Sequence, residues 1–272
     1  MLKIIGQTKL KALLQLLDKL PGLTILVGSK GAGKRLMSNY MANKYNYRFI
    51  EIGNKINDMR ILIDLSNNLD VDTLFYIAAD EITISASNAI LKLAEETPSK
   101  LHIVLGVTDI NNVLQTLISR ANILHMDNYT VKDIQEYVNT LNPKVERLQD
   151  LISIANTPGM VNTLIDADFD KCYAYVNKVY DNILKVSTSN SFKIGMQIGF
   201  ADNELIPVDI FLRIYLRVLN NKIKENYKDL HSVEVLTKQG EYTNNALVEI
   251  LEKGANTKLI FNIWILNIRQ TR

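Results

Sequence analysis

The sequence has very little cysteine and histidine, and this scarcity excludes several kinds of site. Among its 272 residues are one cysteine, Cys172, and three histidines, His102, His125 and His231. One cysteine cannot support a disulfide framework, and a structural zinc site needs about four ligands. The three histidines are scattered and fit no helical ligand spacing. We therefore predict no zinc and no other metal site built on these residues, and treat the histidines as ordinary core or surface residues.

Long apolar runs and a surplus of charge of one sign are also missing. No apolar run reaches the ~18 residues that a membrane-spanning helix needs, and the N-terminus lacks a signal-peptide layout. The 31 basic and 29 acidic residues give a net charge of +2, so any contact with nucleic acid must come from a local patch. With 47% apolar residues, the chain can bury a substantial core. We expect a cytoplasmic protein without a membrane partner.

Short apolar runs alternate with helical patterns from Gly6 to about His125. This alternation is typical of a parallel sheet with crossover helices. The predicted strands are residues 23–27, 49–52, 73–78, 101–106 and 123–126. The predicted helices between them are about residues 7–19, 34–45, 57–68, 84–96 and 110–119.

The pattern is helical after His125. Thr130 and Asp133 resemble a capping box that opens a helix, and a further helix over residues 144–156 is expected to stop at Thr157-Pro158-Gly159. Turn signals lie near residues 187–191, 202–207 and 240–243. We predict an α/β domain at residues 1–126, a small helical lid at 127–168 and an all-α C-terminal domain at 169–272.

Residues 28–35, with the sequence GSKGAGKR, lie directly between a predicted strand and a predicted helix. This setting is typical of a phosphate-binding loop, in which glycines let backbone N–H groups turn toward a phosphate and a lysine reaches the terminal phosphates. An arginine stands where the loop needs a serine or threonine hydroxyl for magnesium, and arginine has only hydrogen-bond donors. The candidate nucleotide-binding residues of this loop are Gly28, Gly31, Gly33, Lys34 and Arg35.

Three interpretations of the loop stay open. It is a relic that binds nucleotide weakly or not at all, a site that binds ATP with impaired magnesium handling, or a competent ATP site. Ser38, three residues beyond Arg35, is a poor substitute for the missing hydroxyl because it lies almost one helical turn further along.

Four short motifs follow in a characteristic order. They are an apolar strand from residue 73, Asn88-Ala89-Ile90-Leu91-Lys92, Glu95-Glu96 shortly before Pro98, and Ser119-Arg120. This order resembles the AAA+ clamp-loader subunits of replicative DNA polymerases, in which a strand runs into Asp-Glu-Ala-Asp, then Asn-Ala-Leu-Leu-Lys, Glu-Glu-Pro and a Ser-Arg-Cys box. The resemblance implies an AAA+ P-loop domain, a helical lid and an all-α collar through which subunits oligomerise.

The resemblance leaves two alternatives for the acidic residues that would hold the metal and activate water. Counting back from Asn88 puts Ile77 and Ala78 at these two positions, and neither side chain can hold a cation or activate water. The alternative alignment lengthens the strand and uses Asp80 and Glu81 as the acids.

Smaller likenesses imply further roles. Gln7 belongs to an Ile-Gly-Gln sequence similar to the family's box near the adenine, and Met160 stands where the lid would carry the sensor-two arginine. Thr108 matches the sensor-one position near the γ-phosphate, although a threonine here is also an ordinary helix N-cap. Arg120 matches the arginine that acts in trans on the ATP of the adjacent subunit; alternatively it answers the dipole at the end of its own helix.

Taken together, the resemblance implies a non-hydrolysing, delta-prime-like subunit of a sliding-clamp loader that supplies Arg120 to a neighbouring ATPase subunit. The implied partners are other loader subunits in a hetero-oligomeric ring, the sliding clamp and primer-template DNA. Bacterial relatives usually carry a four-cysteine zinc module, and its lack here indicates a divergent bacterial or phage-type subunit. The alternatives are an active ATPase motor subunit and a P-loop adaptor for helicase loading or DNA repair.

Overall fold

The computed structural model describes residues 4–96, 98–185, 206–252 and 254–271. The chain divides into two compact units. Met1–Leu141 and Asn156–Met160 form the first, called here the α/β unit, and Asn142–Ala155 and Val161–Arg272 form the second, called here the helical unit. Among the described residues, no helix is long and apolar enough to cross a membrane.

The α/β unit contains a five-stranded parallel sheet with the spatial order β2-β3-β4-β1-β5. The strands are β1 (Leu23–Val27), β2 (Arg48–Ile52), β3 (Thr73–Ala78), β4 (Leu101–Val107) and β5 (Asn122–His125). The helices are α1 (Thr8–Gln15), α2 (Lys34–Lys44), α3 (Ile56–Ser66), α4 (Ile84–Glu95), α5 (Gln115–Ile118) and α6 (Val131–Leu141). The predicted α/β class is confirmed, and each of the five predicted strands is present to within one residue at its ends.

The sheet has an apolar cluster on each face. Along β3, Phe75 and Ile77 belong to the cluster that contains Met59 of α3 and Ile90 of α4. Tyr76, between them, belongs to the cluster that includes Met37 and Met41 of α2. Successive strand residues point to opposite faces, and a parallel sheet covered by helices on both faces therefore needs continuous apolar strands.

After β4, two predictions of local structure are wrong and one is incomplete. The helix expected at 110–119 is a 3₁₀ turn, Ile110–Asn112, followed by the short α5, because the backbone is extended at Val113 between them. Thr157-Pro158-Gly159, expected to end a helix, also contains the start of the next helix at Pro158. Proline is favoured at the first position of a helix. Residues 240–243 lie inside a continuous helix. The turn signals near 187–191 and 202–205 fall outside the described residues.

The helical unit is built around a cluster of aromatic side chains. Its helices are α7 (Leu148–Ile154), most of α8 (Pro158–Asp166), α9 (Phe169–Ile183), α10 (Val208–Glu225), α11 (Leu230–Leu251) and α12 (Thr257–Arg269). The ring of Trp264 meets those of Phe211 and Tyr215 nearly edge to face. Its Nε1 donates to Thr243 Oγ1 at 2.9 Å. Trp264 is 1% exposed, so its own unit covers it.

Candidate functional site

The predicted phosphate-binding loop lies between β1 and α2. Gly31 and Gly33 have φ values of 78° and 87°, in the left-handed region that glycine adopts without strain. Gly28 N donates to Val107 O at 3.0 Å, which ties the start of the loop to the end of β4. The loop therefore follows the C-terminal edge of the sheet and leads into the N-terminus of a helix, the setting in which proteins bind phosphate.

The Lys34 side chain lies back across this loop. Its Nζ donates to Gly28 O at 2.7 Å and to Ser29 O at 3.3 Å. Burial lowers the pKa of Lys34, while the charge of Asp80 raises it. A bound phosphate would therefore have to compete with two backbone carbonyls for the ammonium group.

Arg35 turns away from the position of a metal ligand. Its Nε forms an ion pair with Glu51 Oε2 on β2, and its side chain is 66% exposed. Ser38, the nearest hydroxyl, is buried and donates to Lys34 O at 2.9 Å. Neither side chain is arranged as the magnesium-binding hydroxyl of a phosphate loop.

Two alignments were possible for the acidic residues, and the structure shows where the residues of each alignment lie. Ile77 is fully buried in the cluster on the side of α3 and α4, and Ala78 is the last residue of β3. The Asp80 carboxylate accepts from Thr108 N at 2.5 Å and from Thr108 Oγ1 at 2.7 Å. Asp80 is thus held at the ends of β3 and β4, close enough for its charge to act on Lys34.

Thr108 directly follows β4, as predicted from its sequence. Thr108 is not a helix N-cap, because Asp109 caps the following turn. The Thr108 hydroxyl instead donates a hydrogen bond to Asp80. The N-cap interpretation of Thr108 is therefore wrong. Its role as a sensor of the γ-phosphate stays a prediction.

Sequence reasoning missed Tyr76, which lies among the charged groups of this edge. Burial raises the pKa of Tyr76 to about 12, with smaller contributions in the same direction from Glu51 and Asp80 and an opposing one from Arg35. An added Cβ on Gly106 would lie 2.6 Å from Tyr76 Oη, so glycine on β4 makes room for the phenol. The buried ring occupies space that a longer side chain at position 106 would need.

Gln7 serves as a structural clamp in this chain. It is buried with a left-handed backbone, φ 56°. Its Nε2 donates to Asp127 O at 2.9 Å and its Oε1 accepts from Asp127 N at 2.7 Å. Further along the same segment, Tyr129 Oη donates to Ala32 O at 2.8 Å. The segment after β5 is thereby joined both to Gln7 and to the phosphate loop, a connection that no sequence signal indicated.

The Thr157-Pro158-Gly159 turn packs directly on the phosphate loop. Gly159 N donates to Gly31 O at 2.9 Å, and Thr157 Oγ1 donates to Lys30 O at 3.3 Å. A Cβ added to Gly159 would lie 2.5 Å from Gly31 Cα. The turn leads into Met160, whose thioether offers no positive charge to a phosphate.

Arg120 lies at the C-terminal ends of α4 and α5. Its Nη2 is 3.1 Å from Glu95 Oε1, and its Nη1 donates to Thr116 O at 3.2 Å. The side chains of Arg120 and Glu95 are 41% and 49% exposed. Arg120 thus donates to an open carbonyl at the end of its own helix, as one interpretation predicted. Its side chain also stays partly exposed to solvent.

The sheet register separates Arg120 from the phosphate loop. Arg120 comes two residues before β5, whose first residue, Asn122, pairs with Thr24 near the start of β1. The loop follows Val27 at the other end of β1. Since all strands are parallel, Arg120 lies toward the N-terminal ends of the strands and the loop lies toward their C-terminal ends. The candidate residues are therefore gathered at the loop with the exception of Arg120.

No group of three or more His, Cys, Asp or Glu side chains in the described part of the chain could hold a metal ion. The carboxylates of Asp80 and Glu51 lie near two residues of the loop motif, Lys34 and Arg35 respectively. Both are already engaged, Asp80 with Thr108 and Glu51 with Arg35.

Residues 71–130 match the family model described as DNA polymerase III, delta subunit. A gamma subunit-related DNA polymerase III protein from Thermotoga maritima has 17% identity and a TM-score of 0.54, over 98% of this chain and 100% of that one. The RuvB Holliday junction branch migration motor of the same organism has 18% identity and a TM-score of 0.52, over 80% and 76%. A search of curated proteins found no significant match. The chain therefore shares its fold with these two proteins, and its segment from β3 to β5 matches the delta-subunit family model.

Proposed function

We propose that this chain is a non-hydrolysing subunit of a sliding-clamp loader in DNA replication, and that it supplies Arg120 in trans to the ATP site of a neighbouring subunit. The match of residues 71–130 to a DNA polymerase III subunit family supports the clamp-loader assignment. The proposal includes other loader subunits, the clamp and primer-template DNA as partners, in the cytoplasm of a bacterium or of an infected cell.

The position of Arg120 is the observation that carries this proposal. A planar guanidinium is always charged and suits the stabilisation of phosphoryl-transfer charge. Arg120 is partly exposed and lies toward the N-terminal ends of the strands, opposite to the end at which its own loop lies. An arginine in this position is far better placed for a site on another subunit than for its own.

The state of the chain's own loop supports a loss of hydrolysis. Lys34 is bound to loop carbonyls, and Arg35 stands in place of the metal-binding hydroxyl. Phosphoryl transfer depends on a correctly held magnesium ion and a positioned water. A loop that lacks its hydroxyl ligand would hold nucleotide, if at all, without efficient turnover.

The proposal predicts that Arg120→Ala lowers the DNA-stimulated ATPase of a loader reconstituted with its partner subunits. Because a trans arginine contributes large factors to phosphoryl transfer, we expect a loss of at least about tenfold. Arg120→Lys should restore little, since lysine lacks the planar fork.

Arg60→Ala is the matched control, because Arg60 is another exposed arginine, on α3, and this variant should keep full turnover. Gel filtration must show that the ring still assembles. Normal ATP turnover by an assembled Arg120→Ala loader would contradict the proposal.

The alternative is an active ATPase motor subunit with Asp80 and Glu81 as its acids. One observation favours it, because Asp80 is held close enough to Lys34 for its charge to raise the lysine pKa. ATP hydrolysis by the isolated chain that disappears in Asp80→Asn would support this alternative.

A further inference from the structure

The Glu95-Glu96 pair closes α4 beside the arginine that the proposed function depends on. Glu95 is the last residue of α4, and its carboxylate lies 3.1 Å from Arg120 Nη2. Two motifs that are 25 positions apart in the sequence therefore meet through one ion pair.

Two separate elements hold the guanidinium of Arg120. The Glu95 carboxylate, on α4, forms an ion pair with Nη2, and the Thr116 carbonyl oxygen, on α5, accepts from Nη1 at 3.2 Å. Since the guanidinium is planar, anchors on both terminal nitrogens set the orientation of its plane. Both anchors lie at helix C-termini, where the helix dipole also favours a cation. Nη1 also donates to Ser119 Oγ at 3.5 Å, and a guanidinium has five N–H donors in all.

Stability is a weak explanation for this ion pair. Both side chains are close to half exposed, and pairs between exposed groups contribute little to folding because solvent screens them. What the pair does supply is order in a long side chain that would otherwise sample many rotamers. A catalytic group that is already oriented avoids an entropic cost when the reaction takes place.

We propose that Glu95 is a positioning residue that orients Arg120 for its action on the ATP of the neighbouring subunit. The inference rests on the proposed function, because it requires Arg120 to act in trans. In this role Glu95 works only through the guanidinium of Arg120.

The test compares Glu95→Ala and Glu95→Gln in the reconstituted loader. We expect Glu95→Ala to lower kcat for ATP about three- to tenfold while KM for ATP is unchanged, since the neighbouring subunit binds the nucleotide and only orientation is lost. Glu95→Gln should fall between this variant and the wild type, because its amide oxygen can still accept from Arg120. Glu96→Ala changes the same charge at the adjacent exposed residue and should leave kcat unchanged.

The double variant Arg120→Ala/Glu95→Ala separates this inference from the proposed function. If Glu95 acts only through Arg120, the double variant is no slower than Arg120→Ala alone. Normal turnover in Arg120→Ala would reject the proposed function itself. If Arg120→Ala is slow, the positioning role is rejected by an unchanged or increased kcat, a raised KM or a loss of ring assembly in Glu95→Ala. It is also rejected by a further loss of kcat in the double variant.

Discussion

At the first turn of α2, a single side chain changes what the phosphate loop can do. Arg35 replaces a hydroxyl and forms an ion pair with Glu51 on β2. This pair joins the helix that follows the loop to the edge strand of the sheet. The loop keeps the backbone shape of a phosphate site, with Gly31 and Gly33 in left-handed conformations, while it lacks the oxygen that magnesium requires.

Arg35→Thr should restore part of the missing chemistry. We expect magnesium to strengthen the binding of an ATP analogue to this variant several-fold, because the threonine hydroxyl can act as a ligand. Arg35→Ala, which also loses the Glu51 pair but adds no hydroxyl, is the control and should show no such effect. Equilibrium titration with and without magnesium measures this. Strong magnesium dependence in the wild type would contradict the expectation.

Cys172, the one cysteine of the chain, should react slowly with thiol reagents. It is buried on α9, its Sγ lies 3.1 Å from Ala167 O, and burial raises the pKa of its thiol. A raised pKa favours the neutral thiol. The contribution of Cys172 to the free energy of unfolding is therefore complete below the pKa of the thiol in the unfolded chain, and it is lost as the pH rises through the pKa of the thiol in the folded chain. At pH 8 the folded chain should react at least about tenfold more slowly than the urea-unfolded chain. Equal rates would show that Cys172 is accessible.

At the scale of elements, the contact between the Thr157-Pro158-Gly159 turn and the phosphate loop depends on two glycines. Gly159 and Gly31 approach so closely that a Cβ on Gly159 would meet the Gly31 backbone at 2.5 Å. Backbone atoms cannot move aside as a flexible side chain can. Either the turn or the loop would have to shift to accept a larger residue.

Gly159→Ala should therefore lower the free energy of unfolding of the α/β unit by about 1–3 kcal/mol, as overpacking does. Gly240→Ala is the matched control: Gly240 lies inside α11 with nothing within 4 Å of an added Cβ. Because alanine favours a helix over glycine, this control should be neutral or stabilising by about 0.5–1 kcal/mol. Urea unfolding followed by circular dichroism measures both. An unchanged midpoint in Gly159→Ala would mean that the turn does not rest on the loop.

The success of sequence reasoning differs between elements for a physical reason. The five strands were predictable because a buried parallel strand is a short continuous apolar run between turn residues. The helix at 110–119 was not, because extended backbone at Val113 divides it, and valine gives no turn signal of the kind that glycine and proline give. Gly240 was mistaken for a turn signal, although a single glycine is tolerated inside a long helix that tertiary contacts support.

At the scale of the whole molecule, the parallel sheet puts the two candidate sites in different places. The loop follows the C-terminal end of β1, and Arg120 precedes the N-terminal end of the neighbouring strand β5. In this arrangement the phosphate-type loop and Arg120 lie at opposite ends of the strands. This is why the proposed function places Arg120 in a site completed by two subunits, where loss of the arginine lowers turnover in the neighbour.

The sequence by itself determined the α/β class, the loop between β1 and α2, and the missing hydroxyl at Arg35. These are local features, since apolar periodicity, glycine positions and residue type are all contained within short segments. Only the tertiary structure decided that Gln7 clamps Asp127, that Thr157 rests on a loop 127 positions away in sequence, and that Glu95 meets Arg120. Such contacts depend on how strands are ordered and helices packed, and no short segment of the chain contains that information.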